Sequence, residues 1–275
     1  MRPFLRIAEV VFALVLFIGA ARAGSLIEFA NVSDQAQPAR LLGYLARPDG
    51  VAPFPAVVVL HGCNGFFGGY VEIADQLKAW GYVALLVDSF GPREIGTRCG
   101  MGLPAQATDA YAALKYLSQD ASVDAARIAV LGYSMGGESA LTAVERGPID
   151  PPFPEKFAAA VVYYPWCGGR SAVVNAPTLI LIGAEDNRTP AASCREMVAQ
   201  PHSGGAAIDL IVYPGAHHNF NFRVLPALPG LLARIQRSCG QGRGRKDARI
   251  PRHSSRRDSS RPACGKMTPC GPNVS

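Results

Sequence analysis

The sequence lacks several features that mark common classes of protein. The apolar run Val10–Ala20 is about half of the ~20 residues that a membrane-spanning helix needs. There is no internal repeat and no glycine-rich phosphate-binding loop, which argues against a solenoid and against a P-loop nucleotide-binding protein. With 49% hydrophobic residues among 275, the chain is long enough to bury a substantial core. We therefore expect one globular domain.

A basic face within the folded domain is also lacking. Residues 236–275 carry ten Lys or Arg against two Asp or Glu, and residues 1–23 carry three against one. Since the formal net charge of the whole chain is +6, residues 24–235 carry −4. A nucleic-acid-binding domain would need its basic residues on the folded body. We expect no nucleic-acid partner.

The first 23 residues have the composition of a signal peptide. Arg2 and Arg6 precede the apolar run, and Ala21-Arg22-Ala23 places small residues at the two positions that signal peptidase recognises. Cleavage is expected after Ala23, which predicts a periplasmic or secreted protein with no stable membrane anchor. An uncleaved anchor is the alternative.

Export affects how the seven cysteines are interpreted, because disulfides persist in oxidising compartments. Four of them lie in loops that follow predicted strands, and we expect two bonds, Cys63 with Cys99 and Cys167 with Cys194. Each bond would stabilise the fold by about 3–4 kcal/mol. Four buried free thiols are the alternative, since cysteine packs well as a small apolar residue.

The middle of the chain alternates between apolar runs and helix-compatible segments. The expected strands are Leu26–Ala30, Arg40–Arg47, Pro55–Leu60, Tyr82–Phe90, Ile128–Tyr133, Phe157–Tyr164, Pro177–Ile182 and Ala207–Tyr213. The expected helices are Val71–Trp80, Pro104–Gln119, Gly137–Arg146 and Thr189–Gln200. From Pro55 onward the runs are continuously apolar, which is typical of strands buried on both faces of a parallel sheet. Residues 24–235 are thus predicted to form a mostly parallel, doubly wound α/β domain.

Residues 236–275 differ from the rest in composition. They are rich in Gly, Ser, Arg and Pro, have few large apolar residues and show no periodicity, so we expect this basic tail to be disordered. Leu225–Ile235 resembles the start of a final helix that stops early. A tether to an anionic surface and a reading-frame change that replaced the natural end are both open alternatives.

The main functional signal is the turn Gly132-Tyr133-Ser134-Met135-Gly136-Gly137. It follows a predicted strand and precedes a predicted helix, which places Ser134 at the apex of a G-x-S-x-G nucleophile elbow. A candidate acid, Asp186, and a candidate base, His218, follow in the chain. The order Ser, Asp, His is that of α/β-hydrolases and not of chymotrypsin or subtilisin.

Each of these three residues follows a predicted strand, so they would meet at the carboxyl edge of a parallel sheet. There His218 would take the proton of Ser134, and Asp186 would orient His218. The adjacent Glu185 and His217 are alternatives for the acid and the base.

Acyl transfer also needs backbone N–H groups that bind the oxyanion. Met135 would supply one of them, directly after the nucleophile. The turn His61-Gly62-Cys63-Asn64-Gly65 would supply the other, from Cys63 or Asn64. Cys63 as the nucleophile is a competing interpretation, which its position after His-Gly on a different strand disfavours.

These motifs resemble those of the dienelactone hydrolase family, in its exported branch. Three further stretches carry the same resemblance: Asp88-Ser89-Phe90-Gly91-Pro92-Arg93, Gly183-Ala184-Glu185-Asp186 and Tyr213-Pro214-Gly215-Ala216-His217-His218-Asn219-Phe220. The resemblance spans about residues 25–225. It implies hydrolysis of small carboxylic esters or lactones through an acyl-enzyme, without a metal or an organic cofactor. It also favours His218 over His217, because the family's histidine stands two residues after the alanine of Tyr-Pro-Gly-Ala.

The sequence departs from the family pattern at two positions. The enzymes that give the family its name have a cysteine at the position of Ser134 and a glutamate at that of Gly62, so a general ester is expected as substrate rather than dienelactone. Arg93 is a candidate for binding a substrate carboxylate, and a structural ion pair is the alternative. A peptidase on the same fold, and a catalytically silent binding protein or product of a gene with an altered C-terminus, are the alternatives to an esterase.

Overall fold

The computed structural model of the protein describes residues 23–32, 38–97, 99, 104–147, 154–201 and 203–223. Apart from Ala23, the predicted signal peptide lies outside the described residues. The segment Leu225–Ile235 and the basic tail 236–275 also lie outside them.

The described part of the chain is built on one eight-stranded sheet with the strand order β1-β2-β4-β3-β5-β6-β7-β8. The strands are β1 Ser25–Ala30, β2 Arg40–Ala46, β3 Phe54–Leu60, β4 Val83–Asp88, β5 Val123–Tyr133, β6 Ala159–Tyr163, β7 Thr178–Gly183 and β8 Ile208–Tyr213. β2 is antiparallel to both β1 and β4, and the other neighbouring pairs are parallel. The predicted mostly parallel sheet is confirmed.

Four α-helices connect the parallel strands in the described residues. They are α1 Gly68–Ala79, α2 Pro104–Ser118, α3 Met135–Val144 and α4 Ala191–Ala199, and short 3₁₀ helices cover Gly91–Arg93 and Phe220–Arg223. None of the helices in this part of the chain is long and apolar enough to cross a membrane.

Several element ends differ from the sequence prediction, most by one to three residues, and two of them differ for a clear reason. β5 begins at Val123 and not at Ile128, because Val123 pairs with Phe54 and the ladder resumes with Ile128 opposite Ala56 after a register shift. α4 begins at Ala191 and not at Thr189, because Thr189 is held by hydrogen bonds to the loop after β7.

The core follows the apolar runs. β6 and β7 are buried along their whole length, and β3 and β4 are buried except at one end. β8, at the edge of the sheet, alternates between half-buried and exposed residues. The carboxyl ends of the six parallel strands, β3 to β8, lie at one edge, where their loops can meet.

Two disulfide bonds lie at this edge, and Cys194 stands in α4 and not in a loop as expected. Cys63, after β3, is bonded to Cys99, and Cys167, after β6, is bonded to Cys194 in α4. These are the two pairs expected from the sequence. The second pair is buried, whereas Cys99 is exposed and Cys63 is half-buried.

Candidate active site

Ser134 lies in a tight turn between β5 and α3. Its φ of 53° and ψ of −117° fall outside the regions that non-glycine residues commonly adopt. A Cβ on Gly132 would overlap the carbonyl of Gly136, and a Cβ on Gly136 would overlap the carbonyl of Leu60. Only glycine fits at these two positions, so the close packing of the backbone holds Ser134 in its strained conformation.

The side chains of Ser134, His218 and Asp186 form a hydrogen-bonded chain. His218 follows β8, and its Nε2 lies 3.0 Å from Oγ of Ser134. Its Nδ1 lies 2.8 Å from Oδ2 of Asp186, which follows β7 and is buried. The ring of Tyr164 packs against the imidazole, with the ring centroids 4.5 Å apart. A hydroxyl, an imidazole and a carboxylate are thus connected in the order that activates a serine.

Glu185 and His217, the alternative acid and base, do not enter this chain of hydrogen bonds. Both side chains are exposed, and Nδ1 of His217 lies 3.0 Å from the backbone oxygen of Glu185. The structure therefore brings Asp186 and His218 to Ser134, and not their neighbours.

Several donors hold the carboxylate of Asp186. The amides of Arg188 and Thr189 each donate to Oδ1 at 2.9 Å, and the hydroxyl of Thr189 donates to Oδ2 at 3.0 Å. Burial raises the pKa of Asp186, but the hydrogen bonds from His218 and Thr189 outweigh it and hold the pKa below its ordinary value. Asp186 is therefore ionised at neutral pH.

Thr189 is a site residue that the sequence did not reveal. Its hydroxyl lies 3.0 Å from Oδ2 of Asp186, 3.1 Å from the carbonyl of Tyr164 and 3.2 Å from Nδ1 of His218. Its position in the sequence could have indicated this role, because Thr189 stands three residues after Asp186. Asp side chains often accept hydrogen bonds from the backbone amides that follow them in a turn.

The turn after β3 lies beside the nucleophile elbow. A Cβ built on Gly62 would lie 3.6 Å from Cβ of Ser134 and 3.0 Å from Oη of Tyr70. The Gly62 amide donates to that oxygen at 2.8 Å, and burial raises the pKa of Tyr70 to about 12. A neutral tyrosine thus fills the space beside Gly62, and a glutamate at this position would have to displace it.

His61 orients the peptide unit between Gly62 and Cys63. The carbonyl of Gly62 can only accept and the amide of Ser89 can only donate, so Nδ1 of His61 donates to Gly62 at 2.8 Å and Nε2 accepts from Ser89 at 3.2 Å. Burial lowers the pKa of His61, which keeps the ring neutral as this pattern requires. Because C=O and N–H of one peptide unit point in opposite directions, fixing the carbonyl also directs the N–H of Cys63.

The amide of Met135 is the first of α3, and the first amides of a helix have no partner within the helix. Such an N–H group is suited to bind an anion. The amides of Met135 and Cys63 belong to the two backbone segments that lie next to Ser134.

Arg93 is paired inside the protein. Its two terminal nitrogens each lie 2.8 Å from a carboxylate oxygen of the fully buried Asp109, and one of them donates to the carbonyl of Ser89 at 2.7 Å. This is the structural ion pair that the sequence left as the alternative to substrate binding. We do not assign Arg93 to the substrate site.

Among the described residues, no cluster of three or more His, Cys, Asp or Glu side chains is arranged to hold a metal ion.

The mostly parallel sheet and a serine on a strained turn between a central strand and a helix define the α/β-hydrolase fold. The chain belongs to the dienelactone hydrolase family, whose family model matches residues 41–226.

The chain is also similar to several curated proteins and solved structures. The chain is 33% identical over 183 residues to an uncharacterised protein of Mycobacterium tuberculosis, a match that covers 60% of this chain and 63% of that protein. It is 27% identical over 203 residues to a "Probable 2-oxo-3-(5-oxofuran-2-ylidene)propanoate lactonase" of Bradyrhizobium sp, covering 66% of this chain and 79% of the relative. The propionate-bound esterase Est2 of Thermogutta terrifontis superimposes with a TM-score of 0.63 at 18% identity, covering 80% of this chain and 96% of Est2. The likeness to Est2 is one of fold.

Proposed function

We propose that this protein is an exported serine hydrolase that cleaves carboxylic esters or lactones through an acyl-enzyme. The observation that carries the proposal is the distance of 3.0 Å between Oγ of Ser134 and Nε2 of His218, with Asp186 bound to the other nitrogen of the ring. Membership of the dienelactone hydrolase family and the lactonase name of the Bradyrhizobium relative support this class of substrate.

The first half of the reaction forms the acyl-enzyme. Nε2 of His218 takes the proton of Ser134 while Oγ attacks the substrate carbonyl, and Asp186 stabilises the imidazolium through Nδ1–H. The N–H groups of Cys63 and Met135 donate to the oxyanion. His218 then gives its proton to the leaving oxygen as the bond from the carbonyl carbon to that oxygen breaks, which leaves the acyl group on Ser134.

The second half regenerates the serine. His218 takes a proton from water, the resulting hydroxide attacks the acyl carbon, and the same two N–H groups bind the second oxyanion. When the tetrahedral intermediate collapses, His218 returns the proton to Oγ of Ser134 and the carboxylic acid leaves.

The surroundings of Ser134 favour a general ester or lactone over dienelactone. A serine stands where the name-giving enzymes have a cysteine, and Tyr70 occupies the space beside Gly62 where they have a glutamate. The composition of residues 1–23 and the two disulfide bonds support a periplasmic or secreted protein whose catalytic domain spans 24–235.

The proposal is tested with Ser134→Ala. This variant should lose turnover of a short-chain p-nitrophenyl ester and labelling by a fluorophosphonate, because both reactions need the serine oxygen. Ser118→Ala, which changes a serine at the end of α2, is the matched control and should keep both. Residual turnover in Ser134→Ala, or a folded wild-type chain that the fluorophosphonate does not label, would refute the mechanism.

A further inference from the structure

Gln106, in the first turn of α2, is a fully buried amide that the mechanism above does not use. Its Nε2 donates to the carbonyl of His61 at 3.0 Å, and its Oε1 accepts from Oγ of Ser139 at 3.0 Å. A carbonyl accepts and an amide nitrogen donates, so these two partners fix the orientation of the side chain.

The two partners of Gln106 belong to different backbone segments of the site. His61 begins the turn that contains Cys63. Ser139 lies one helical turn after Met135 in α3, and its hydroxyl is also 3.0 Å from the carbonyl of Met135. Because a hydroxyl has a single hydrogen, Ser139 donates either to Gln106 or to Met135 at any moment, and it keeps both oxygens within reach.

Strand pairing does not hold these two segments together. The parallel ladder between β3 and β5 ends at the pair Leu60 and Gly132. Beyond it the chain leaves β3 through the His61 turn and leaves β5 through the elbow, and the side chain of Gln106 bridges the two.

We propose that Gln106 is a positioning residue that sets the separation between the N–H groups of Cys63 and Met135. The inference rests on the proposed function, in which these two groups bind the oxyanion. Donors must lie about 2.7–3.1 Å from the oxyanion to stabilise it. Gln106 holds the turn and the helix at the spacing that allows both donors to reach one oxygen.

This role predicts a specific kinetic effect. The oxyanion exists in the tetrahedral transition state and not in the bound ester, so misplaced donors slow the reaction without weakening substrate binding. Gln106→Met keeps the length of the side chain and removes both hydrogen bonds. We expect kcat for a p-nitrophenyl ester to fall by about 10- to 100-fold. KM should stay within about twofold of the wild type, as expected when only transition-state binding is lost.

Tyr111→Phe is the matched control, because it also removes a buried hydrogen bond between α2 and α3. The hydroxyl of Tyr111 donates to the carbonyl of Ala143, in the last turn of α3 and far along the helix from Met135. This variant should lower the unfolding temperature and leave kcat unchanged. An equal loss of kcat in Tyr111→Phe and Gln106→Met would overturn the positioning role.

Ser139→Ala removes the other end of the bridge and gives a second route to the same test. It should lower kcat at unchanged KM, and the Gln106→Met, Ser139→Ala double variant should be no slower than the slower single variant, because both changes break one connection. If Gln106→Met does not fold, the kcat and KM of Ser139→Ala decide. An unchanged kcat in Gln106→Met would overturn the inference, as would an unchanged kcat in Ser139→Ala if Gln106→Met does not fold. Multiplicative losses of kcat in the double variant would also overturn it. The proposed function still stands in each of these outcomes, provided that wild-type activity depends on Ser134. If activity does not depend on Ser134, both proposals fail.

Discussion

Adjacent residues of similar chemistry have opposite environments in this site. Asp186 is buried and bound by four donors, whereas Glu185 is exposed. The same contrast separates His218, which contacts Ser134, from the exposed His217. The carboxylate of Asp186 is thus oriented by hydrogen bonds, whereas that of Glu185, one residue earlier, is solvated.

Asp186→Asn tests this contrast against Glu185→Gln. An amide at position 186 is uncharged and does not stabilise the imidazolium, so kcat should fall by roughly 10⁴-fold. Glu185→Gln makes the same chemical change on the exposed neighbour and should leave kcat unchanged. The measurement is steady-state turnover of a p-nitrophenyl ester by both variants, and comparable losses in the two would contradict the assignment of the acid.

The pair of Arg93 and Asp109 lies inside the protein and makes stability depend on pH. Burial raises the pKa of Asp109 even with the Arg93 guanidinium beside it, which acts to lower the pKa. Arg93→Ala removes that opposing charge, so the folded-state pKa of Asp109 should rise further above its unfolded value. A carboxyl with a raised folded pKa stabilises the fold at low pH, and this contribution is lost as pH rises through the folded pKa.

Arg93→Ala should therefore destabilise the protein most at alkaline pH. We expect a loss of about 3–5 kcal/mol at a pH where Asp109 is ionised, with partial recovery on acidification towards the folded pKa. Arg127→Ala removes the half-exposed pair with Asp124, which stays in contact with solvent, and should cost only about 0–1 kcal/mol. Urea unfolding of both variants at several pH values measures the effect. If the loss of unfolding free energy in Arg93→Ala grows on acidification, the expected direction of the pH dependence is wrong.

The turn after β3 is held by hydrogen bonds and by a disulfide bond. His61 fixes the carbonyl of Gly62, Gln106 holds the carbonyl of His61, and the disulfide ties Cys63 to Cys99. Since the N–H of Cys63 is a proposed oxyanion donor, the covalent bond belongs to the same supporting structure as the hydrogen bonds.

Cys99→Ser should lower both stability and kcat, because it frees the turn that carries the N–H of Cys63. The loss of stability should be about 3 kcal/mol, from the entropy that the unfolded chain regains. Cys194→Ser breaks the other disulfide, whose partner Cys167 lies after β6, and should cost similar stability with a smaller effect on kcat. The measurements are the free energy of unfolding and the ester turnover of both variants. An equal kcat in Cys99→Ser and the wild type would argue against a role for the Cys63–Cys99 bond in the site.

The last described segment completes the packing behind the site. The ring of Phe220 packs against Tyr163, Tyr164 and Tyr213, and Oδ1 of Asn221 accepts from the hydroxyl of Tyr164. Tyr164 in turn packs on His218. Tyr164 therefore links the segment that follows His218 to the imidazole of His218.

A chain shortened to residues 24–235 should keep the wild-type kcat and unfolding temperature, because residues 236–275 have few large apolar side chains with which to extend the core. A chain ending at Asn219 lacks the contacts of Phe220 and Asn221 with Tyr164, and it should lose both activity and stability. The measurements are the unfolding temperature and the ester turnover of both shortened chains and of the wild type. A clear loss in the chain 24–235 would show that the basic tail contributes to the folded protein.

Local patterns and the order of residues along the chain determined much of this protein. Continuous apolar runs specified the parallel strands, because a strand covered on both faces has no polar side. The spacing of Gly132, Ser134 and Gly136 specified the elbow, because backbone atoms there come too close for a Cβ. The sequence also named Asp186 and His218 as candidates from their order after Ser134.

Only the tertiary structure decided which groups face each other across distant segments. It pairs Arg93 with Asp109, places Tyr70 in the space beside Gly62, and sets Gln106 between His61 and Ser139. These contacts depend on how helices and loops pack over the sheet, and a helix face or a loop position in one sequence does not reveal its partner.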